Sequence, residues 1–271
     1  MSYCLGIDIG SAYSKGVLMD DRELRASYYC LSGGDFRLTA DKIKKELLSQ
    51  ADITSKDISR TVATGYGSKM VAFADKEITD ISCHSKAIST LFPSVKTIVD
   101  FGDLYSKVFL IDGKGNLLNF LLSGKCAGGS ARVLKVMAKV LQVNIENLGD
   151  LSFKAKKDIE FNTGCAVFAE SEVISRVAEG FAKEDLLAAI HKALSAQCYS
   201  LAERLGIERD FALTGGGARN KGLIKAMGDL AGMDVHVPDA PHMTAALGAA
   251  ILADEALKRL EVRGQNFFVD K

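Results

Sequence analysis

One octapeptide pattern occurs twice in the chain, first as Asp8-Ile9-Gly10-Ser11-Ala12-Tyr13-Ser14-Lys15 and then as Asp100-Phe101-Gly102-Asp103-Leu104-Tyr105-Ser106-Lys107. Each copy follows a short apolar run, so the pattern predicts a buried strand, a glycine turn and the second strand of a hairpin. A glycine lets backbone N–H groups approach an anion closely, and an aspartate can hold a metal ion through water. The two turns are therefore candidates to bind opposite sides of one polyphosphate. The alternative is an ordinary hairpin turn formed twice by chance.

Composition excludes several classes of function. Lys and Arg together number 34, and Asp and Glu together also number 34, so no net field attracts nucleic acid or a membrane surface. The N-terminus has no basic segment followed by an apolar one, and no apolar run has the length of a membrane span. These features predict a soluble, cytoplasmic protein. In that compartment the six cysteines are not expected to form structural disulfides.

Strands precede helices in both halves of the sequence. In the first half we predict strands at 5–9, 15–19, 24–31 and 58–63, with helices at 39–50 (N-capped by Thr39) and 81–91. In the second half we predict strands at 95–100, 107–112, 117–122, 210–213 and 235–237. The helices of that half are expected at about 129–141, 166–180, 184–204, 220–231 (capped by Asn220) and 245–260.

This order predicts an α/β protein of two similar lobes with a cleft between them. We expect lobe I to span residues 1–95, with the C-terminal helix 246–271 packing back on it. Lobe II then spans residues 96–245.

A third glycine element follows the predicted strand 210–213 as Thr214-Gly215-Gly216-Gly217-Ala218. Backbone without side chains there can lie against a flat base or a phosphate, and the following helix N-terminus adds positive potential. A single glycine triplet is weak evidence, but two phosphate turns followed by a glycine corner form a specific order. This order resembles the superfamily of actin, sugar kinases and heat-shock ATPases.

That resemblance implies two duplicated RNase H-like lobes that bind ATP or ADP with Mg²⁺. Asp8 and Asp100 then correspond to the carboxylates that hold Mg²⁺ through water. The nucleotide-binding residues implied are Gly10, Ser11, Ala12, Tyr13, Ser14 and Lys15 from the first turn, Gly102 and Leu104 from the second, and Gly215, Gly216, Gly217, Asn220 and Pro241.

Two cysteines stand immediately before predicted helices and beside glycines: Cys126 in Ser123-Gly124-Lys125-Cys126-Ala127-Gly128, and Cys165 in Asn162-Thr163-Gly164-Cys165-Ala166. A helix N-terminus lowers the pKa of a thiol, which favours metal binding. A cubane cluster takes four thiolates, and a two-fold dimer would supply both residues twice. The alternative is that both are buried apolar cysteines, as we expect for Cys4, Cys30 and Cys198. We expect Cys83 to line the cleft.

The segments around these cysteines resemble the ATP-dependent activators of 2-hydroxyacyl-CoA dehydratases and the related ATPase subunits of benzoyl-CoA reductase, most specifically over residues 165–174. The resemblance covers nearly the whole chain and includes Thr64-Gly65-Tyr66-Gly67. It implies a dimer, with itself or with a paralogue, that holds one [4Fe–4S] cluster through Cys126 and Cys165 of both subunits. ATP binding and hydrolysis would then drive a low-potential electron to an iron–sulfur acyl-CoA dehydratase or reductase. The electron donor implied is a protein such as ferredoxin or flavodoxin.

The second turn departs from the family pattern, which usually reads Asp-Ile-Gly-Gly-Gln-Asp-x-Lys. Leu104 and Tyr105 replace the amide and carboxylate expected to orient phosphate and water, which predicts slow hydrolysis. Asp103 is a candidate to replace the lost catalytic carboxylate beside Asp8 and Asp100. Two other classes stay open: a small-molecule kinase of the same superfamily, and a nucleotide-binding regulator that does not hydrolyse ATP.

Overall fold

The computed structural model describes residues 2–124, 129–161 and 166–269, and divides the chain into two compact units. Unit 1 comprises Met1–Leu91 and Met243–Lys271, and unit 2 comprises Phe92–His242. The predicted boundaries, after residues 95 and 245, lie a few residues later in the chain. Phe92 belongs to unit 2 because its ring packs on His236, with ring centroids 5.0 Å apart. Met243 belongs to unit 1 because it packs against Val17 and Met19.

The strands and helices are numbered in chain order. The strands are β1 (Tyr3–Ile9), β2 (Tyr13–Asp20), β3 (Glu23–Leu31), β4 (Ile58–Thr64), β5 (Lys76–Glu77), β6 (Thr97–Phe101), β7 (Ser106–Ile111), β8 (Leu117–Leu122) and β9 (Phe211–Thr214). The α-helices are α1 (Phe36–Ala51), α2 (Asp80–Leu91), α3 (Arg132–Val140), α4 (Leu148–Ser152), α5 (Ala166–Ala178), α6 (Lys183–Leu205), α7 (Lys221–Ala231) and α8 (Thr244–Val269).

The two sheets share one topology. In unit 1 the strand order is β3-β2-β1-β4-β5, and in unit 2 it is β8-β7-β6-β9. In each unit the first strand pairs antiparallel with the second and parallel with the strand that follows a long helical connection. Both copies of the octapeptide therefore occupy the same place in their sheets, at the turn between the first two strands.

Unit 1 covers both faces of its sheet with helices. Gly16 on β2 faces α1, where an added Cβ would lie 2.4 Å from Ile43. Gly6 on β1 faces α8, where an added Cβ would lie 2.1 Å from the Ala246 carbonyl oxygen. Gly16 is the cross-strand partner of Ile7, so these two residues face the same side of the sheet. Gly6 precedes Ile7 on β1 and therefore faces the opposite side. The sheet is thus enclosed between α1 and α8.

The start of α1 corrects one prediction. Thr39 is not the N-cap, because the helix begins at Phe36 and is capped by Asp35. Asp35 Oδ1 accepts hydrogen bonds from the Arg37 and Leu38 backbone N–H groups at 2.8 and 3.2 Å. The Thr39 hydroxyl instead donates to the Ser32 carbonyl at 2.6 Å, inside the first turn of the helix. A short polar residue after two glycines therefore marks the helix start.

Unit 2 buries one face of its sheet in a large core. Phe101 on β6 and Phe211 on β9 pack there with residues of α3 and α6 such as Met137 and Leu194. The predicted strand at 235–237 is wrong. Only His236 bridges to β9, through hydrogen bonds of 2.9 Å with the Phe211 carbonyl and the Leu213 N–H.

Candidate functional site

We call residues 8–15 and 100–107 the first and second phosphate turns, after the ligand predicted for them. In the first phosphate turn an ion pair joins the two strands. Asp8 near the end of β1 lies opposite Lys15 on β2, and the Lys15 ammonium donates to Asp8 Oδ2 at 2.8 Å. Gly10 begins the turn, where a Cβ would lie 2.4 Å from the Tyr13 carbonyl oxygen. The Ser32 hydroxyl donates to the Gly10 carbonyl at 2.7 Å. The turn is tight enough to exclude any side chain at its first position.

The second phosphate turn repeats this geometry in unit 2. Asp100 lies opposite Lys107, and the Lys107 ammonium donates to Asp100 Oδ2 at 2.7 Å. A Cβ at Gly102 would lie 2.6 Å from the Tyr105 carbonyl oxygen. The Asp100 and Lys107 side chains are only 4% and 8% exposed, so the pair is buried. Both turns therefore combine one buried carboxylate, one ammonium and one glycine.

A glycine contacts the other oxygen of each aspartate. Gly65 follows β4, with φ +89°, and a Cβ there would lie 2.2 Å from Asp8 Oδ1. Gly215 follows β9, with φ +83°, and a Cβ there would lie 2.1 Å from Asp100 Oδ1. The contact of Gly65 with Asp8 was not among the predictions. A shared sequence pattern, Thr-Gly-x-Gly, nevertheless relates Thr64-Gly65-Tyr66-Gly67 to Thr214-Gly215-Gly216-Gly217 and indicates that the two segments play the same structural part.

The glycine corner of unit 2 brings together several of the predicted nucleotide residues. The Pro241 carbonyl accepts hydrogen bonds from the Gly215 N–H at 2.9 Å and the Thr214 hydroxyl at 3.1 Å. Asn220 caps α7, as predicted, and its Oδ1 accepts from the N–H groups of Gly222 and Leu223. At Gly216 an added Cβ would meet no atom within 4 Å. Open backbone beside a helix N-terminus is a surface on which a base or phosphate can lie.

Asp103, the predicted replacement carboxylate, is bound by two cations of α3. Its carboxylate accepts from Arg132 Nη2 at 3.0 Å and Lys135 Nζ at 2.6 Å. Burial alone raises the pKa of Asp103, but the hydrogen bonds from Lys135 and Arg132 outweigh it and hold that pKa below its usual value. Nearby, Lys107 Nζ lies 5.5 Å from the centre of the Tyr105 ring. Asp103 is thus an ionised group whose oxygens are already engaged.

Cys126 and Cys165 lie outside the described residues. Their neighbours are placed: β8 ends at Leu122, α3 begins at Arg132, and α5 begins at Ala166, directly after Cys165. α3 and α5 both contribute to the core of unit 2, through residues such as Val133 and Val173.

The other four cysteines are free thiols in the described part of the chain. Burial raises the pKa of Cys4 to about 11, and those of Cys83 and Cys198 to about 12. Burial also raises the pKa of Cys30, which is half-buried. The expectation that Cys83 lines a cleft is wrong, because its side chain is fully buried and packs in a hydrophobic cluster with Cys4 and Val62.

In the described residues no three His, Cys, Asp or Glu side chains gather as a metal-binding group. A magnesium ion that is held through water and by phosphate oxygens does not require such a group. In both Asp8 and Asp100, one carboxylate oxygen accepts a hydrogen bond from a lysine ammonium and the other oxygen lies against the backbone of a glycine. That donor chemistry fits a hydrated cation rather than a metal in a protein cage.

His191 is a buried residue that packs against the start of α7, the helix that follows the glycine corner. It is 1% exposed, and neither of its ring nitrogens has a hydrogen-bond partner within the described part of the chain. A Cβ at Gly222, in the first turn of α7, would lie 2.3 Å from His191 Nδ1. Burial lowers the pKa of His191 from 6.5 to about 4. The neutral ring therefore packs directly under the helix that begins at the corner.

The pKa of His191 predicts an acid-sensitive stability. Between pH 6.5 and 4 the unfolded state binds a proton that the folded state does not, so stability falls as pH decreases through this window. The loss is about 3 kcal/mol at the lower end. Urea unfolding at pH 7 and pH 4.5 measures it, and His191→Leu should remove most of the difference. An equal loss in the parent and in His191→Leu would contradict this assignment.

The sequence profile of the BadF/BadG/BcrA/BcrD ATPase family matches residues 5–253. The chain belongs to this family. The match includes both phosphate turns, both Thr-Gly-x-Gly corners and the segments with Cys126 and Cys165. The family resemblance drawn from the sequence is therefore confirmed.

The relatives are similar over nearly the full chain. The 2-hydroxyisocaproyl-CoA dehydratase activator of Clostridioides difficile is 37% identical, over 97% of this chain and 99% of that protein. The (R)-2-hydroxyglutaryl-CoA dehydratase activating ATPase of Acidaminococcus fermentans is also 37% identical, over 93% of this chain and 96% of its own length. A benzoyl-CoA reductase subunit of Thauera aromatica is 26% identical, over 98% of both chains.

Solved structures confirm the fold class. The activator of the 2-hydroxyisocaproyl-CoA dehydratase from Clostridium difficile, with bound ADPNP, superposes with a TM-score of 0.89, covering 96% of this chain and 97% of that one at 37% identity. A ROK family glucokinase from Streptomyces griseus shares the fold with a TM-score of 0.60 at 12% identity, covering 93% of this chain and 99% of its own. Among the described helices, none is long and apolar enough to span a membrane.

Proposed function

We propose that this protein is an ATP-dependent activator that delivers a low-potential electron to an iron–sulfur acyl-CoA dehydratase or reductase. The observation that carries the proposal is the duplicated Asp–Lys–Gly turn in a chain that belongs to this ATPase family. The relatives named as dehydratase activators match it over almost their whole length. The electron donor would be a protein such as ferredoxin or flavodoxin.

The nucleotide residues are proposed from the two turns and the glycine corner. Gly10 and Gly102 would bring backbone N–H groups to the phosphates, and Asp8 and Asp100 would hold the water shell of Mg²⁺. The corner at Gly215 would support the adenosine. Leu104 and Tyr105 offer neither amide nor carboxylate to an attacking water, so hydrolysis is expected to be the weak step of the cycle.

The cluster ligands are proposed to be Cys126 and Cys165, taken twice in a dimer. A cysteine binds iron as the thiolate, so a raised pKa disfavours it as a ligand. Burial raises the pKa values of the four described cysteines, which leaves the two residues that precede α3 and α5. The cluster would accept and donate a single electron.

The dimer partner is proposed to be a second copy of the chain or a paralogue. The similarity to the benzoyl-CoA reductase relative, together with the altered second turn, supports an arrangement beside a paralogue as the alternative. A small-molecule kinase or a regulator without hydrolysis would be a colourless protein.

The test of the cluster is iron binding after substitution of the two ligands. Cys126→Ser and Cys165→Ser should each lose the cluster and its brown colour. Each substitution removes two of the four thiolates in the dimer, and a [4Fe–4S] cluster requires all four. The measurement is iron content and visible absorption after anoxic purification, with dimer content from sedimentation. Cys30→Ser is the control, since that half-buried thiol on β3 has a raised pKa.

The parent and Cys30→Ser should hold about four irons per dimer. Retention of that iron by Cys126→Ser or Cys165→Ser would contradict the ligand assignment. A colourless parent that binds MgATP would instead favour the kinase or regulator.

A further inference from the structure

The second phosphate turn is attached to α3 by three hydrogen bonds, which we call the turn–α3 contact. The Ala131 N–H donates to the Gly102 carbonyl at 2.9 Å. Arg132 and Lys135 then donate to the Asp103 carboxylate at 3.0 and 2.6 Å. The contact therefore joins the turn that follows β6 to the first turn of a helix almost thirty residues further along the chain.

The first phosphate turn is held differently, so this contact is not a general requirement of the motif. In unit 1 the Gly10 carbonyl accepts from the Ser32 hydroxyl, directly after β3. Ser11 occupies the position that Asp103 occupies in unit 2. The contact with α3 is thus specific to the second turn, and it depends on a carboxylate that the first turn lacks.

The geometry weighs against Asp103 as the group that orients water. Its side chain is 19% exposed, and each of its two oxygens accepts from a different cation. An ammonium and a guanidinium held at these distances form charge-assisted hydrogen bonds. A carboxylate whose pKa is lowered in this way is also a weak proton acceptor.

We propose that Asp103 is a positioning residue that couples the second phosphate turn to α3. A phosphate that binds at Gly102 would move or stiffen the turn, and the contact would transmit the change to the helix. This inference rests on the proposed function for the identity of the ligand, MgATP. α3 follows Cys126 in the chain, so the same helix leads back to a proposed cluster ligand.

The test uses hydrogen exchange of α3 with and without saturating MgATP. In the parent, nucleotide should slow amide exchange in the peptide 129–141 by at least about fivefold, the lower end of typical coupling between two sites. In Asp103→Asn the nucleotide should still slow exchange in the peptide 3–20, which contains the first turn. The slowing at 129–141 should fall to a ratio near one. The double substitution Arg132→Met with Lys135→Met should give the same pattern.

The control is Asp158→Asn, which removes a carboxylate from the exposed Lys192–Asp158 pair of the same unit. It should keep the parent ratio. General destabilisation raises exchange with and without nucleotide alike, so the ratio responds only to the coupling. Calorimetry confirms that every variant is saturated with MgATP.

A parent-like ratio in Asp103→Asn would overturn the proposal, and so would a parent that binds MgATP without any change at α3. Neither result bears on the assignment of the cluster ligands, which the iron content tests separately. Conversely, a colourless parent would overturn the electron-transfer role while the exchange ratio still decides the role of Asp103. Failure of the parent to bind MgATP would overturn both.

Discussion

Gly215→Ala is expected to destabilise unit 2 and to abolish tight nucleotide binding. Gly215 has φ +83° and ψ 176°, a conformation that is essentially restricted to glycine. An alanine Cβ would also lie 2.1 Å from Asp100 Oδ1 and 2.8 Å from the Phe101 carbonyl oxygen. Backbone strain and displacement of the buried carboxylate together should lower the free energy of unfolding by about 3 kcal/mol or more. MgATP affinity should fall at least about tenfold.

The neighbouring glycine provides a matched control. A Cβ at Gly216 would meet no atom within 4 Å, and its φ is not in the left-handed region. Gly216→Ala should therefore keep the parent stability to within about 0.5 kcal/mol. Urea unfolding measures the free energy of unfolding of both variants, and calorimetry measures the MgATP affinity of Gly215→Ala. Equal stability of the two alanine variants would show that Gly215 is not required for the geometry of Asp100.

Lys107→Met should have a comparable effect by a different mechanism. The substitution removes the ammonium and leaves the Asp100 carboxylate buried at 4% exposure without its cation. Breaking a buried ion pair on one side costs about 3–5 kcal/mol. The double variant Lys107→Met with Asp100→Asn should recover part of this loss, because no unpaired charge remains. Urea unfolding of the single and double variants measures both quantities.

An exposed pair is the reference for Lys107. Lys225 and Asp229 on α7 form an ion pair of similar length, 2.9 Å, but both side chains are more than half exposed. Lys225→Met should change the free energy of unfolding by less than about 1 kcal/mol. If Lys107→Met were as mild as Lys225→Met, the second turn would not depend on a buried charge pair. The same comparison applies to Lys15 and Asp8 in unit 1.

The duplicated turn and the glycine corner could be predicted from sequence because they follow local rules. Asp8 and Asp100 each lie one residue before the end of a buried strand, and the glycines that follow permit tight hairpin turns. The cap at Asn220 was predictable for the same reason, since a short polar side chain before a helix satisfies its first N–H groups. Thr39 was mistaken for a cap because Asp35, four residues earlier, does the same work after two glycines.

Only the tertiary structure decided what the aspartates and Asp103 contact. The register of β1 with β2 and of β6 with β7 brings each lysine opposite its aspartate, and the parallel strands β4 and β9 bring Gly65 and Gly215 beside the other oxygens. The local sequence therefore determined where the turns form, because the backbone preferences of glycine and its neighbours act over a few residues. The pairing of Asp103 with α3 and the burial of His191 depend on packing between segments distant in sequence, and no local pattern encodes such contacts.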